Sequence, residues 1–266
     1  MEVIILKDPL EVSKLAAAHV VHQVQQKPMS CLGLATGSTP KNMYELLCQY
    51  YEQGKVDFSR VTSFNLDEYV GLASHHPASY GSYMEENLFR FINIRKENCH
   101  IPNGMAEDVP KECQSYEEKI QKAGGIDLQI LGIGTDGHIA FNEPSSSLSS
   151  RTRLKTLTEQ TRNDNRHFFA EEEEVPVHVI TMGVGTIMEA RKILLLATGE
   201  KKADAIAKTV EGPVTAMVPS SILQFHSKVA LVIDEAAARL LTRKDYYRWV
   251  YMQKPPWQKQ IADSFL

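Results

Sequence analysis

The sequence predicts an α/β chain built on an open, mostly parallel sheet. Three observations predict it. Short β-branched runs alternate with longer stretches of helical periodicity, the pattern of repeated βαβ units. Most of those runs are almost continuously apolar, as strands covered on both faces should be. No internal repeat, Gly/Ser linker or low-complexity stretch divides the 266 residues, so one catalytic domain spanning 1–266 is expected. Together these describe a single-domain, Rossmann-like sheet with helices on both faces and a mobile lid segment.

In chain order, the first strand is expected at residues 3–6. Val12, Leu15, Ala16, Val20 and Val24 then recur at helical spacing. A second strand at 31–35 runs through Thr36-Gly37-Ser38-Thr39-Pro40 into a helix over 40–51, with Pro40 suited to its first turn. Strands at 61–65 and 128–133 each empty into a polar segment. Residues 158–176 are polar, charged and weakly periodic, and a lid of about 158–182 is expected there. The acidic run 171–174 within it reads as a solvated turn. Strands at 177–181, 193–197 and 229–233 follow, with a helix over 201–210 before the last. The tail carries Tyr246, Tyr247, Trp249, Tyr251 and Trp257 around Pro255 and Pro256. Such aromatics are expected to pack on their own domain, a subunit contact being the alternative.

Composition narrows the function. A chain that is 43% hydrophobic can bury a full core. A net charge of -4, a pI near 6.2 and the lack of a Lys/Arg-rich run give no field for nucleic acid. The apolar run at 1–7 holds charged residues and meets Asp8 and Pro9, which is too short for a signal-peptide core or a membrane span. Cys31, Cys48, Cys99 and Cys113 form no CxxC pair, so neither zinc nor disulfides are expected, and a cytoplasmic location fits. His75 and His76 are adjacent but lack ligand spacing, and no metal is expected.

Two turns could hold a phosphate. In the first, the helix after residues 36–40 offers free N–H groups and hydroxyls, although an ordinary N-cap explains the same residues. In the second, Thr198-Gly199-Glu200-Lys201-Lys202, two lysines open a helix against its dipole, which suggests an anion facing one of them or simply a solvated lysine. Neither turn matches the P-loop or GxGxxG patterns, so no nucleotide cofactor is indicated.

The reactive types cluster in two segments after buried strands, 64–71 and 132–144. Ligands of open α/β sheets sit at the carboxyl ends of strands. Asp136, His138 and Glu143 place two carboxylates near one imidazole, which would raise its pKa and orient it for proton transfer. Gly132, Gly134 and Gly137 allow a tight turn and close approach to a ligand. A satisfied structural histidine is the competing reading of His138, and a helix-capping pair that of Asp67-Glu68.

Phe64-Asn65-Leu66-Asp67-Glu68-Tyr69-Val70-Gly71, Gly134-Thr135-Asp136-Gly137-His138-Ile139-Ala140-Phe141-Asn142-Glu143-Pro144 and Ser149-Ser150-Arg151-Thr152-Arg153 together resemble the glucosamine-6-phosphate deaminase family, over almost the whole chain. The resemblance implies conversion of D-glucosamine 6-phosphate and water to D-fructose 6-phosphate and ammonium, without a cofactor. It implies that Asp67 takes the C2 proton and returns it at C1. His138 would open the pyranose ring, oriented by Asp136 and Glu143. It further implies that Ser38, Thr39, Arg166 and Lys202 bind the phosphate, with Arg166 on the lid.

Some members of that family are hexamers activated by N-acetylglucosamine 6-phosphate. Ser146, Arg153 and Lys155 match their effector pattern, and Met1 would supply a terminal amine. Tyr246 or Tyr247 would stand for the effector-site tyrosine, although the Trp- and Pro-rich ending departs from the pattern. The resemblance thus implies a homo-oligomer. A 6-phosphogluconolactonase-like hydrolase and a non-catalytic sugar-phosphate sensor share the fold and are the rival readings. A sensor should carry a helix-turn-helix or partner segment, and the α/β pattern uses all 266 residues.

Overall fold

The computed structural model describes residues 1–255. Its elements follow in order: β1 (Glu2–Leu6), α1 (Pro9–Gln26), β2 (Cys31–Leu34), α2 (Ser38–Glu52), β3 (Thr62–Asn65), β4 (Asp67–Tyr69), α3 (Tyr80–Asn87), β5 (Cys99–His100), α4 (Val109–Lys122) and β6 (Leu128–Leu131). Then come β7 (Arg153–Thr156), α5 (Glu159–Asn165), β8 (His178–Thr181), α6 (Val184–Met188), β9 (Ile193–Ala197), α7 (Ala203–Glu211), β10 (Val229–Asp234) and α8 (Lys244–Met252). Seven strands form a parallel sheet in the order β1-β10-β9-β6-β2-β3-β5.

Alternation along the strands shows why both faces are covered. Val3, Leu131 and Leu195 join one buried cluster with Tyr116 and Ile120 of α4 and Ile206 of α7. Their neighbours Ile4, Ile130, Leu194 and Leu196 join the other, with Val20 and Val24 of α1 and Met43 and Leu47 of α2. Successive side chains of a strand point to opposite faces, so an unbroken apolar run needs helices on both. α1 begins where Asp8 accepts from the Glu11 N–H at 3.0 Å, with Pro9 following, a cap worth about 1 kcal/mol.

The fold differs from the expectation in the place of one expected strand and in three further strands, β4, β5 and β7. The run at 177–181 becomes β8, which lies antiparallel between β4 and β7 in a separate three-stranded sheet. Its apolar residues suit any buried strand, and only its pairing partners decide the sheet. β7 and β4 escape a hydrophobicity reading because their sequences, Arg-Leu-Lys-Thr and Asp-Glu-Tyr, are largely polar. The small sheet shares a third cluster, including Tyr69, Tyr80, Phe141, Phe169 and Val179. Expected helices 40–51 and 201–210 appear as α2 and α7, the latter preceded by a 3-10 turn at Glu200–Lys202.

Residues 158–177 contain α5 and a 3-10 turn at Arg166–Phe168. Residues 178–182, the end of the expected lid, are instead the buried strand β8 and Met182. In the tail, Tyr247 donates to Glu211 at 3.1 Å, whereas Tyr246 and Trp249 of α8 are exposed. Pro256 and Trp257 lie outside the described residues. Among the described residues no helix is long and apolar enough to cross a membrane.

Candidate active site

The strand order reverses direction between β2 and β6: the chain runs outward from β2 to β3 and β5, then returns to β6 on the other side of β2. The loops leaving the two strands diverge there, and a crevice opens at their carboxyl ends. A cleft of about 250 Å³ occupies that place, lined by residues 35–40 after β2, Asp67 of β4, residues 132–135, His138 and Lys202. Segments far apart in sequence thus reach one cavity.

Asp67 and Glu68 are neighbours on β4 with separate tasks. Glu68 accepts from the N–H groups of Tyr69 and Tyr80 at 2.9 and 3.1 Å through one oxygen, and of Gly81 at 3.0 Å through the other. Glu68 therefore shares the capping of α3 with its N-cap Ser79, whose hydroxyl accepts from the Ser82 N–H at 3.0 Å. Asp67 lines the cleft, is only 6% exposed, and its carboxylate makes no hydrogen bond among the described residues. Burial, and then the Glu68 charge, push its carboxyl well above the usual range. A buried, unpaired carboxylate facing a cleft is a strong base when ionised.

The segment after β6 carries an oriented imidazole. Asp136 stands 2.7 Å from His138 Nδ1, and its other contact is the His138 backbone N–H at 3.1 Å. Burial raises the Asp136 carboxyl, but the bond to His138 and the charge between them outweigh it and hold it below the usual range. The contact to Nδ1 is a close charge pairing and not a well-aligned hydrogen bond, so Asp136 holds the ring chiefly by charge and leaves Nε2 unclaimed among the described residues. Gly134 is required by the ring itself: a Cβ there would lie 2.3 Å from His138 Cε1 and Nδ1. Gly137 has φ +85° and a Cβ would strike Val218, so the turn needs it as well. Ala140, which lines the cleft, is held at φ 50°, a strained conformation for a residue other than glycine. Bonds from Phe141 N to Thr181 Oγ1 and from Asn142 Nδ2 to the Met182 carbonyl, at 3.0 and 2.8 Å, pin this loop to β8.

Glu143 does something other than orient His138. Nδ1 is taken by Asp136, and the buried Glu143 accepts from the N–H and hydroxyl of Thr158. Thr158 is the N-cap of α5. Glu143 therefore ties the histidine loop to the start of the polar segment.

Gly37 caps α2 with φ 104°, and Ser38 and Thr39 form its first turn beside the cleft. Lys202 enters from the end of β9 with no ion-pair partner among the described residues. Burial lowers its pKa, opposed by Asp164 and Asp136 and reinforced by Lys201. A partly desolvated ammonium and a helix N-terminus lining the same cleft are groups that could hold an anion. Arg166 is not among the lining residues: its guanidinium bonds the carbonyls of Phe169, Ala170 and Glu171.

A family model described as glucosamine-6-phosphate isomerases/6-phosphogluconolactonase matches residues 10–232. The chain belongs to this family. A glucosamine-6-phosphate deaminase of Thermoanaerobacter sp. (strain X514) is 54% identical over 245 residues, 92% of this chain and 97% of that protein. One of Shewanella woodyi (strain ATCC 51908 / MS32) is 53% identical over 264 residues, 99% and 100% of the two chains. The solved structure of a monomeric glucosamine-6-phosphate deaminase superposes with a TM-score of 0.88 at 42% identity, covering 90% of this chain and all of that one. A 6-phosphogluconolactonase from Trypanosoma cruzi gives a TM-score of 0.74 at 21% identity, covering 91% and 97%, a likeness of fold alone.

For this member of the isomerase/lactonase family, the residues matched to an effector site are divided. Arg153 and Lys155 stand two apart on β7, hence on one face, and Arg153 donates to Asn142 Oδ1 at 2.9 Å. Ser146 is buried with no partner for its hydroxyl among the described residues. Met1 lines a different recess with His19, Lys192 and Lys228. The cleft also gathers Tyr80, Phe141, Thr161, Asp164, Asn165 and His167, which sequence reasoning did not single out. Only the polarity of residues 158–176 hinted at the last four. Among the described residues no cluster of three or more His, Cys, Asp or Glu could hold a metal.

Proposed function

We propose that the chain is a glucosamine-6-phosphate deaminase, converting D-glucosamine 6-phosphate and water to D-fructose 6-phosphate and ammonium. One observation carries the reading beyond family membership: a buried unpaired carboxylate, Asp67, shares a cleft with an Asp136-oriented His138 and with a phosphate-sized cradle at Ser38, Thr39 and Lys202. The isomerisation needs a base for a carbon-bound proton, a proton shuttle for the ring oxygen, and a handle that fixes the sugar. Relatives more than 50% identical over nearly the full chain carry the deaminase name, and the lactonase likeness extends only to fold.

In this reading the ring opens as His138 moves a proton between the C1 hydroxyl and the ring oxygen, exposing the aldehyde. Asp67 then removes the C2 proton, the electron pair shifts to O1, and O1 takes a proton given up by the substrate's own ammonium to form the enol-amine. The same carboxyl returns the proton to C1, leaving an imine at C2. Water adds there and ammonium departs, yielding the ketose. Desolvation makes Asp67 basic enough to act on carbon, and the phosphate contacts supply the positioning. Glu143 acts through Thr158, coupling the histidine loop to a lid formed by residues 158–177. Closure of that lid would release Arg166 from its own carbonyls toward the phosphate. The decisive measurement is ammonium release from glucosamine 6-phosphate by folded protein; its absence overturns the reading.

Lys202→Ala tests the cradle separately. Loss of a charge-assisted contact is expected to raise KM for the phosphorylated sugar about 10- to 100-fold with a smaller change in kcat. Equal losses in both would assign Lys202 to another step. The reading extends to an effector site for a sugar phosphate at Ser146, Arg153 and Lys155, supported by the unpartnered Ser146 hydroxyl and two cations on one strand face. Because Met1 lines another recess, it would join them only across subunits of a cytoplasmic homo-oligomer. A solution mass equal to one chain, as in the monomeric structural relative, removes Met1 from that site.

A further inference from the structure

The phosphate cradle is braced from outside the cleft. Glu68 gathers the N–H groups of Tyr80 and Gly81 and, with the N-cap Ser79 bonding the Ser82 N–H, holds the start of α3. Within the first turn, α3 presents Tyr83, half-buried against the core on the α2 side of the sheet. The Tyr83 hydroxyl donates to the carbonyl of Gly37 at 2.6 Å. Tyr83 is not among the residues lining the cleft.

The geometry of one peptide bond gives that contact its consequence. The Gly37 carbonyl and the Ser38 N–H belong to a single planar trans unit and point in opposite directions. A donor that holds the carbonyl on the α3 side therefore aims the Ser38 N–H the other way. Gly37 cannot set this orientation by itself. It has φ 104°, nothing lies within 4 Å of where a Cβ would be, and glycine visits both signs of φ readily. As the N-cap of α2 its carbonyl takes the first intrahelical bond, and the Tyr83 hydroxyl is a second donor that holds the same carbonyl from outside the helix.

We propose that Tyr83 is a positioning residue for the phosphate turn, its hydroxyl setting the Gly37–Ser38 peptide so that the Ser38 N–H faces the phosphate of the sugar. The proposal rests on the reading of that turn as the phosphate site. Burial pushes the Tyr83 phenol up, so it remains a protonated donor throughout the neutral range. The brace also links the two halves of the site: Glu68, next to the base Asp67, orders the helix that orders the anion turn.

The test is Tyr83→Phe, which keeps the ring in the core and removes only the donor. Inorganic phosphate is titrated against the full-length wild type and variant without sugar, and steady-state kinetics are measured beside it. The phosphate Kd and the KM for glucosamine 6-phosphate should rise together, about 3- to 10-fold for one lost hydrogen bond, while kcat falls far less. The melting temperature should move by no more than about 2 °C. Unchanged phosphate affinity in the variant overturns the proposal, as does a fall in kcat at constant KM, which a purely structural role would produce. Tyr83-dependent phosphate binding in a protein that releases no ammonium would uphold the brace and refute the deaminase.

Discussion

Asp67→Asn is expected to lower kcat by about 10³-fold or more while leaving substrate binding nearly intact, because it removes the base and keeps the shape. Exchange of the C2 proton with solvent should vanish with turnover; exchange that persists would show that another group abstracts that proton. The pH dependence has a definite sign. Burial and the Glu68 charge raise the Asp67 carboxyl, and the base acts only when ionised. Wild-type activity should therefore fall, on acidification, at a pH above the ordinary carboxylate range.

The same shift predicts a gain in stability for the inactive variant. A carboxyl whose folded pKa lies above its unfolded value binds protons more tightly when folded. Its stabilising contribution is complete below the unfolded pKa and is lost as pH rises through the folded one. Neutral pH lies above the unfolded value, so the wild type has by then given up stabilisation that an uncharged side chain keeps, and Asp67→Asn should melt at a higher temperature. The difference should shrink toward acid. A variant that melts lower at neutral pH would mean that the Asp67 carboxylate is held by contacts that stabilise the fold.

Gly134→Ala should be nearly as damaging from a residue with no chemistry of its own. A methyl group there would sit 2.3 Å from the His138 ring, so the imidazole must leave its place beside Asp136. Displacing a proton shuttle by about 1 Å costs on the order of 10²-fold in rate. The expected result is a fall of that size in kcat with a smaller change in phosphate affinity, because the methyl group meets the His138 ring and not the Ser38–Thr39 turn. Full activity would show that His138 acts from another position or not at all.

The glycine illustrates where sequence reading stopped. Gly134 was marked as a place where backbone approaches a ligand, whereas the group it accommodates is the chain's own histidine. Glu143 was assigned to His138 by proximity along the chain, yet it bonds Thr158, because a buried turn with a strained Ala140 carries the loop away. Arg166 was expected at the phosphate and instead holds its own segment's carbonyls. Spacing in sequence limits which groups can meet, and it leaves their direction open.

The sequence by itself determined the layered α/β architecture, since its apolar runs would be insoluble as strands unless helices covered both faces. It also determined the two reactive segments, because Asp67, Asp136 and His138 follow buried strands, and the family motifs span them. Tertiary structure decided the rest. The reversal of strand order between β2 and β6 brought the turn at residues 36–40 to the acid and the imidazole. The alternation of β4 sent Asp67 into the cleft while Glu68 capped α3. Burial raised the base, and α3 placed a tyrosine hydroxyl on the Gly37 carbonyl. These are properties of neighbours distant in sequence, and they exist only once the chain has closed on itself.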